Sequence, residues 1–217
     1  MGKLFENTET YKIESCIINC TVWKNFEKAN YKVQFTVTQI HESAKCWEIS
    51  SPIEGFEFHS AKDLIGNDLN RKKEILNSGI VKVKIFIEEH IQLNKSFSFI
   101  IEYTNKVDFE ILKKSLFGKK YGMVFIKSFG CQCMELKINL SLNNKFYRIE
   151  HAIPRFTFES LNNYTFHDIP TQKPTAISYV ASLKLSKFNN FFYFILTALG
   201  GYLIPKYYEL ILKLILP

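Results

Sequence analysis

Apolar and polar residues alternate along most of this chain. Between Tyr31 and Ile40, Tyr31, Val33, Phe35 and Val37 fall on one face and Lys32, Gln34, Thr36 and Thr38 on the other. That period of two predicts a half-buried β-strand. The stretch from Cys133 to Leu142 repeats it, with Met134, Leu136, Ile138, Leu140 and Leu142 inside and Glu135, Lys137, Asn139 and Ser141 outside. Asn143, Asn144 and Lys145 then predict a turn, and with it a hairpin onto residues 146–151. A second hairpin is expected where Val81, Val83, Ile85 and Ile87 are followed by Phe97, Phe99, Ile101 and Tyr103. Further strands are expected at 11–22, 45–50, 53–58, 121–128 and 175–185. About nine or ten short strands at this spacing predict an all-β, antiparallel Ig-like β-sandwich.

Two stretches break the alternation. The polar segment from His59 to Gly79 reads as a long connection with a short helical pattern at Leu69–Leu76. From Val107 to Gly122, Val107, Ile111 and Leu112 fit one or two helical turns ending at Gly118. Pro154, Pro170 and Pro174 confine the 150–175 region to edge strands or loops. No internal repeat, low-complexity tract or Pro/Gly linker divides the body.

The C-terminus changes character. Residues 191–204 carry no charge, and Phe191, Phe192, Phe194, Leu196, Leu199, Leu203 and Ile204 dominate them. Alone, that stretch covers about 21 Å as a helix against the ~30 Å of a hydrocarbon core. Extended to Leu216 it reaches about 39 Å, enough to cross with tilt. Lys206, Glu209 and Lys213, at spacings of three and four, form a polar stripe on one helical face. Gly200 and Gly201 allow a bend or close helix packing, and Lys184 and Lys187 stand where lipid headgroups would be met. The pattern therefore predicts a β-sandwich domain over 1–187 and a transmembrane helix within 188–217, with the lipid bilayer as a partner.

Composition adds location and charge. The first seventeen residues lack the apolar core of a secretory signal, so the body is expected in the cytoplasm and the protein is expected to be single-pass and tail-anchored. The five cysteines (Cys16, Cys20, Cys46, Cys131, Cys133) are then expected as thiols. There are 28 Lys and Arg against 21 Asp and Glu, a net charge of +7, which favours anionic surroundings. The basic residues Lys113, Lys114, Lys119 and Lys120 read as a solvated hairpin edge guarded by lysines, and nucleic acid is not favoured as a partner.

Signatures of catalysis are missing from the sequence. Cys16 and Cys20 with Cys131 and Cys133 resemble a four-thiolate set only on paper, because residues four apart on a strand are separated by about 13 Å and a zinc ion needs its sulfurs within about 4 Å. The five histidines (His41, His59, His90, His151, His167) stand singly, without His-x3-His or His-Glu-x2-His spacing. There is no Gly-rich phosphate loop and no Gly-x-Ser-x-Gly elbow. Neither metal nor cofactor is implied. The resulting expectation is a non-enzymatic, tail-anchored protein whose sandwich mediates protein–protein interaction or self-assembly. Its alternative is an oligomeric pore-forming or membrane-disrupting effector of bacterial toxin or antiviral defence type, with Lys206, Glu209 and Lys213 lining a polar path.

Overall fold

The computed structural model describes residues 11–39, 46–87, 93–107, 109–115, 118–128, 132–144, 147–153, 157–160, 162–168 and 176–185, with single residues at 194, 195, 197, 198, 201 and 207. The described chain is built on strands. In order these are β1 (Tyr11–Val22), β2 (Lys28–Gln39), β3 (Cys46–Pro52), β4 (Glu57–Asp63), β5 (Arg71–Ile75), β6 (Ile80–Phe86) and β7 (Ser96–Lys106). There follow β8 (Phe109–Ser115), β9 (Gly118–Ser128), β10 (Gln132–Leu142), β11 (Tyr147–Ile153), β12 (Phe158–Ser160), β13 (Asn163–Asp168) and β14 (Ala176–Leu185).

They form three sheets. The largest has seven strands in the order β12-β13-β10-β1-β2-β7-β4, the second is β11-β14-β9-β8, and the third is β3-β6-β5. The all-β expectation is met, but the largest sheet is mixed rather than antiparallel. At its centre β1 and β10 run parallel, with Asn19 opposite Asn139. Both expected hairpins are corrected. β6 pairs with β3 and β5, whereas β7 pairs with β2 and β4. β10 pairs with β1 and β13, whereas β11 pairs with β14. In each case a short connection carries the chain from one sheet to another, because both partners of the expected pair find edges elsewhere.

Both segments expected as helical are strands. Residues 71–75 form β5 against β6, and 109–115 form β8 against β9, placing Lys113 opposite Lys120 and Lys114 opposite Lys119. Good helix formers such as Lys, Glu and Leu carry only a few tenths of a kcal/mol each of local preference, which strand pairing outweighs.

The inner face of the seven-stranded sheet carries the core. β2 alternates without a break, burying Ala29, Tyr31, Val33, Phe35 and Val37. β1 buries Tyr11 and Ile13, then Cys16, Ile18, Cys20 and Val22, so its inward parity changes midway. A β-bulge between Ile13 and Ser15 makes this change, putting Glu14 and Ser15 at the half-exposed surface and returning the apolar set to the core.

Trp47 of β3 is fully buried against this face. Its ring lies 4.9 Å from Phe35, 5.6 Å from Tyr11 and 5.7 Å from Phe99, which docks the three-stranded sheet. The four-stranded sheet reaches the same core through Tyr147, packed edge-on to Phe26 at 5.0 Å, and through buried Ile149. At the turn after β3, Gly55 adopts φ +83°, and a Cβ there would stand 2.9 Å from Cβ of Lys106.

The Tyr164 phenol joins β13 to β11 by accepting the backbone N–H of buried Ile149 at 3.0 Å. Tyr164→Phe would leave that N–H buried without its acceptor. The expected loss is about 1–3 kcal/mol, read as a lower urea midpoint at unchanged denaturant dependence; an unchanged midpoint would show that the two sheets do not rely on this bond.

Candidate functional site

Strand alternation that buries one face of the seven-stranded sheet sends the other polar. Registers across six of its strands align one continuous row: Ser60 on β4, Glu102 on β7, Lys32 on β2, Asn19 on β1, Asn139 on β10 and Thr165 on β13. Ser60 donates to Glu102 at 3.3 Å, and Lys32 pairs with Glu102 at 3.0 Å. Asn139 donates to Asn19 Oδ1 at 2.8 Å and accepts from the Thr165 hydroxyl at 3.1 Å. Hydrogen bonds from Lys32, ahead of its charge and of Ser60, hold the Glu102 carboxyl below its ordinary range against the opposing effect of burial.

Two neighbouring groups extend the face. Toward one end, Thr36 and Ser98 share a hydrogen bond of 2.9 Å, and Glu14 accepts from Thr38 and, at 2.9 Å, from Ser96. Those hydroxyls lower the Glu14 carboxyl, with Lys12 adding a smaller charge effect. Toward the other end, Asn30 Oδ1 accepts from the Trp23 indole at 3.0 Å and from the Thr104 hydroxyl at 3.0 Å, and His59 Nε2 lies 2.7 Å from Thr104 Oγ1. The Thr104 hydroxyl thus bridges Asn30 and the His59 ring. Thr104 is only 3% exposed. That burial keeps its hydroxyl from solvent.

The face is therefore a polar surface made of hydroxyls, amides and ion pairs. Among the described residues no group of three His, Cys, Asp or Glu is placed to hold a metal ion. Cys16, Cys20 and Cys133 are buried, and burial pushes the Cys133 thiol up to about 12. Such thiols are poor nucleophiles.

Few of the residues singled out from the sequence fall on described positions. Phe194 and Gly201 are helical, Phe194 is 71% exposed, and a Cβ on Gly201 would meet nothing within 4 Å. Lys184 lies on β14 opposite Arg148. Phe191, Phe192, Leu196, Leu199, Leu203, Ile204, Gly200, Lys206, Glu209, Lys213 and Lys187 lie outside the described residues. No described helix is long and apolar enough to cross a membrane. The polar row was missed. Lys32 and Asn139 read as outward-facing residues of their own strands, but their alignment depends on a parallel pairing between residues 120 positions apart.

Two outcomes follow from this chemistry. Thr38→Val removes a donor that lowers Glu14. A carboxyl depressed in the folded state contributes stability above its unfolded value and loses it as pH falls through the folded one. The variant should be less stable than the parent by about 1 kcal/mol at pH 7, with the difference closing below about pH 4; urea midpoints across pH would read it, and a gap independent of pH would refute it. Among the four described cysteines, half-exposed Cys46 should be alkylated by iodoacetamide at pH 8 well before Cys16, Cys20 and Cys133, as peptide mass mapping would reveal.

No family model and no curated protein matches the sequence. Solved structures do share the fold. Native yeast LTA4 hydrolase is similar over 86% of this chain and 31% of its own, with TM-score 0.59 at 13% identity. An M1 zinc metallopeptidase variant from Deinococcus radiodurans, bound to a Tyr-Ser-Ala substrate, is similar over 80% of this chain and 43% of its own, with TM-score 0.52 at 11% identity. A two-domain M1 zinc metallopeptidase bound to tryptophan gives 82%, 43% and 0.51 at 10% identity. The chain spans less than half the length of each, and at these identities the likeness is one of fold. It corrects the expectation of a non-enzymatic, tail-anchored interaction domain, together with the pore-forming alternative: these structures of the same fold are hydrolases and metallopeptidases. Motifs do not carry this likeness, because it lies in the arrangement of strands rather than in residue spacing.

Proposed function

We propose that this chain is a β-domain of a peptidase-type protein and takes part in handling peptide substrates. One observation carries the reading: the fold match to LTA4 hydrolase over 86% of the chain, corresponding to 31% of the hydrolase. The two metallopeptidases that share the fold were solved with a tripeptide and with an amino acid bound. The described residues do not fit a zinc centre, since no three donors converge, so no hydrolytic step is routed through their side chains. Their contribution is to bind and orient. The outer face of the seven-stranded sheet presents Asn19, Asn139, Thr165, Ser60 and Glu102 in one row, and a peptide's amides and terminal amine are matched by such acceptors and donors.

The test uses the protein purified from its source and the tripeptide Tyr-Ser-Ala. Binding of the tripeptide is expected, weakening severalfold in an Asn139→Ala, Asn19→Ala variant. A preparation that does not bind the tripeptide would overturn the proposal.

A further inference from the structure

β5 is an edge strand whose two faces differ. On the outer face, Lys72 pairs with Glu74 at 3.2 Å, Lys84 with Glu74 at 3.5 Å and Lys82 with Glu48 at 2.9 Å, so these charges are matched across the three-stranded sheet. The inner positions are Arg71, Lys73 and Ile75. They stand opposite Ile85, Val83 and Val81, which are buried in the core. The buried apolar rows of β6 thus continue onto two exposed cations and an isoleucine that is 61% exposed. Arg71 lies over the Phe58 ring at 5.6 Å, and neither Arg71 nor Lys73 has a carboxylate partner among the described residues.

The backbone of the same three residues is also unmatched. Phe86 N–H donates to Asn70 O at 2.8 Å and Leu76 N–H to Ile80 O at 2.9 Å, bracketing the strand. In an antiparallel ladder the bonded pairs alternate, so Lys72 and Glu74 exchange bonds with β6 while the N–H and C=O groups of Arg71, Lys73 and Ile75 point to the open edge. No described strand pairs with that edge. Open donors and acceptors, unmatched positive charge and one exposed apolar side chain therefore coincide on every second residue.

We propose that the outer edge of β5 receives an extended acidic segment of a partner protein as an added strand. Its carboxylates at alternate positions face Arg71 and Lys73, and an apolar side chain lies beside Ile75. The added main chain supplies the hydrogen bonds, and side chains about 6.7 Å apart along a strand match the spacing of the two cations. A second copy of this chain is the poorer occupant, since antiparallel self-pairing centred on Lys73 would oppose like charges. Lysines also protect edges against neutral strands; here the same residues select by charge. The proposal is independent of the peptide-handling reading.

Binding of a fluorescein-labelled peptide containing Val-Thr-Glu-Thr-Glu, which sets two glutamates and a valine on one face, to the full chain, followed by anisotropy, tests it. Binding should weaken at least tenfold from 50 to 300 mM salt and at least tenfold in Lys73→Glu, which places like charges together. Ile75→Pro removes an outward N–H while keeping both cations, and should also abolish binding. Unchanged binding by Ile75→Pro, or equal binding of a peptide with its glutamates in one block, would mean charge attraction without strand addition and would overturn the proposal. A concentration-dependent dimer that excludes the peptide would overturn it in favour of self-pairing. Should Ile75→Pro not fold, Lys73→Glu and the block peptide still decide.

Discussion

Burial of Trp47 against Tyr11, Phe35 and Phe99 is the contact on which the architecture depends. Those three rings come from β1, β2 and β7, three adjacent strands of the seven-stranded sheet, while Trp47 comes from a different sheet. A single aromatic side chain thus sets how the three-stranded sheet sits on the large one. Truncating a buried tryptophan typically costs about 3–5 kcal/mol, a large share of the stability of an ordinary domain. Because the docked sheet is only three strands wide, the position of Trp47 also decides which strand overhangs. β6 is covered and β5 is not.

The opposite face of the large sheet follows from the same alternation. Every residue that points into the core leaves a neighbour pointing out, and the registers align those neighbours into rows. The bulge in β1 is what keeps the rows coherent. Without the extra residue, Cys16, Ile18 and Cys20 would face solvent and Asn19 would face the core. The bulge also puts Glu14 within reach of Thr38 and Ser96, so one irregularity serves both the packing and the electrostatics of the outer surface.

Alternation made the inward and outward faces of β2, β6, β7 and β10 from Leu136 onward legible from sequence, while at the start of β10 Cys133 is buried in place of the expected Met134. Pairing was not legible, because a strand's partner is chosen by distant edges: β6 and β7 follow one another yet lie in different sheets. The helical pattern expected at Leu69–Leu76 gives way to β5, and only the fit to β6 reveals why an edge strand carries so much charge. The polar row escaped for a related reason, each member being an unremarkable outward residue on its own strand. The likeness of fold was invisible to motif reading, because it lies in strand pairing rather than in signature spacings.

The parallel pairing of β1 with β10 has a consequence for how the chain is made. Asn19 finds Asn139 only after 120 further residues have been polymerised. At about 5–20 residues per second the ribosome leaves β1 with one edge unoccupied for roughly 6–24 s. Antiparallel β2 can form within that interval, but the edge that will receive β10 exposes its backbone and the flanking apolar side chains of Ile18 and Cys20 throughout. Slow codons or stress that lengthen the wait would favour aggregation of nascent chains over loss of the finished fold.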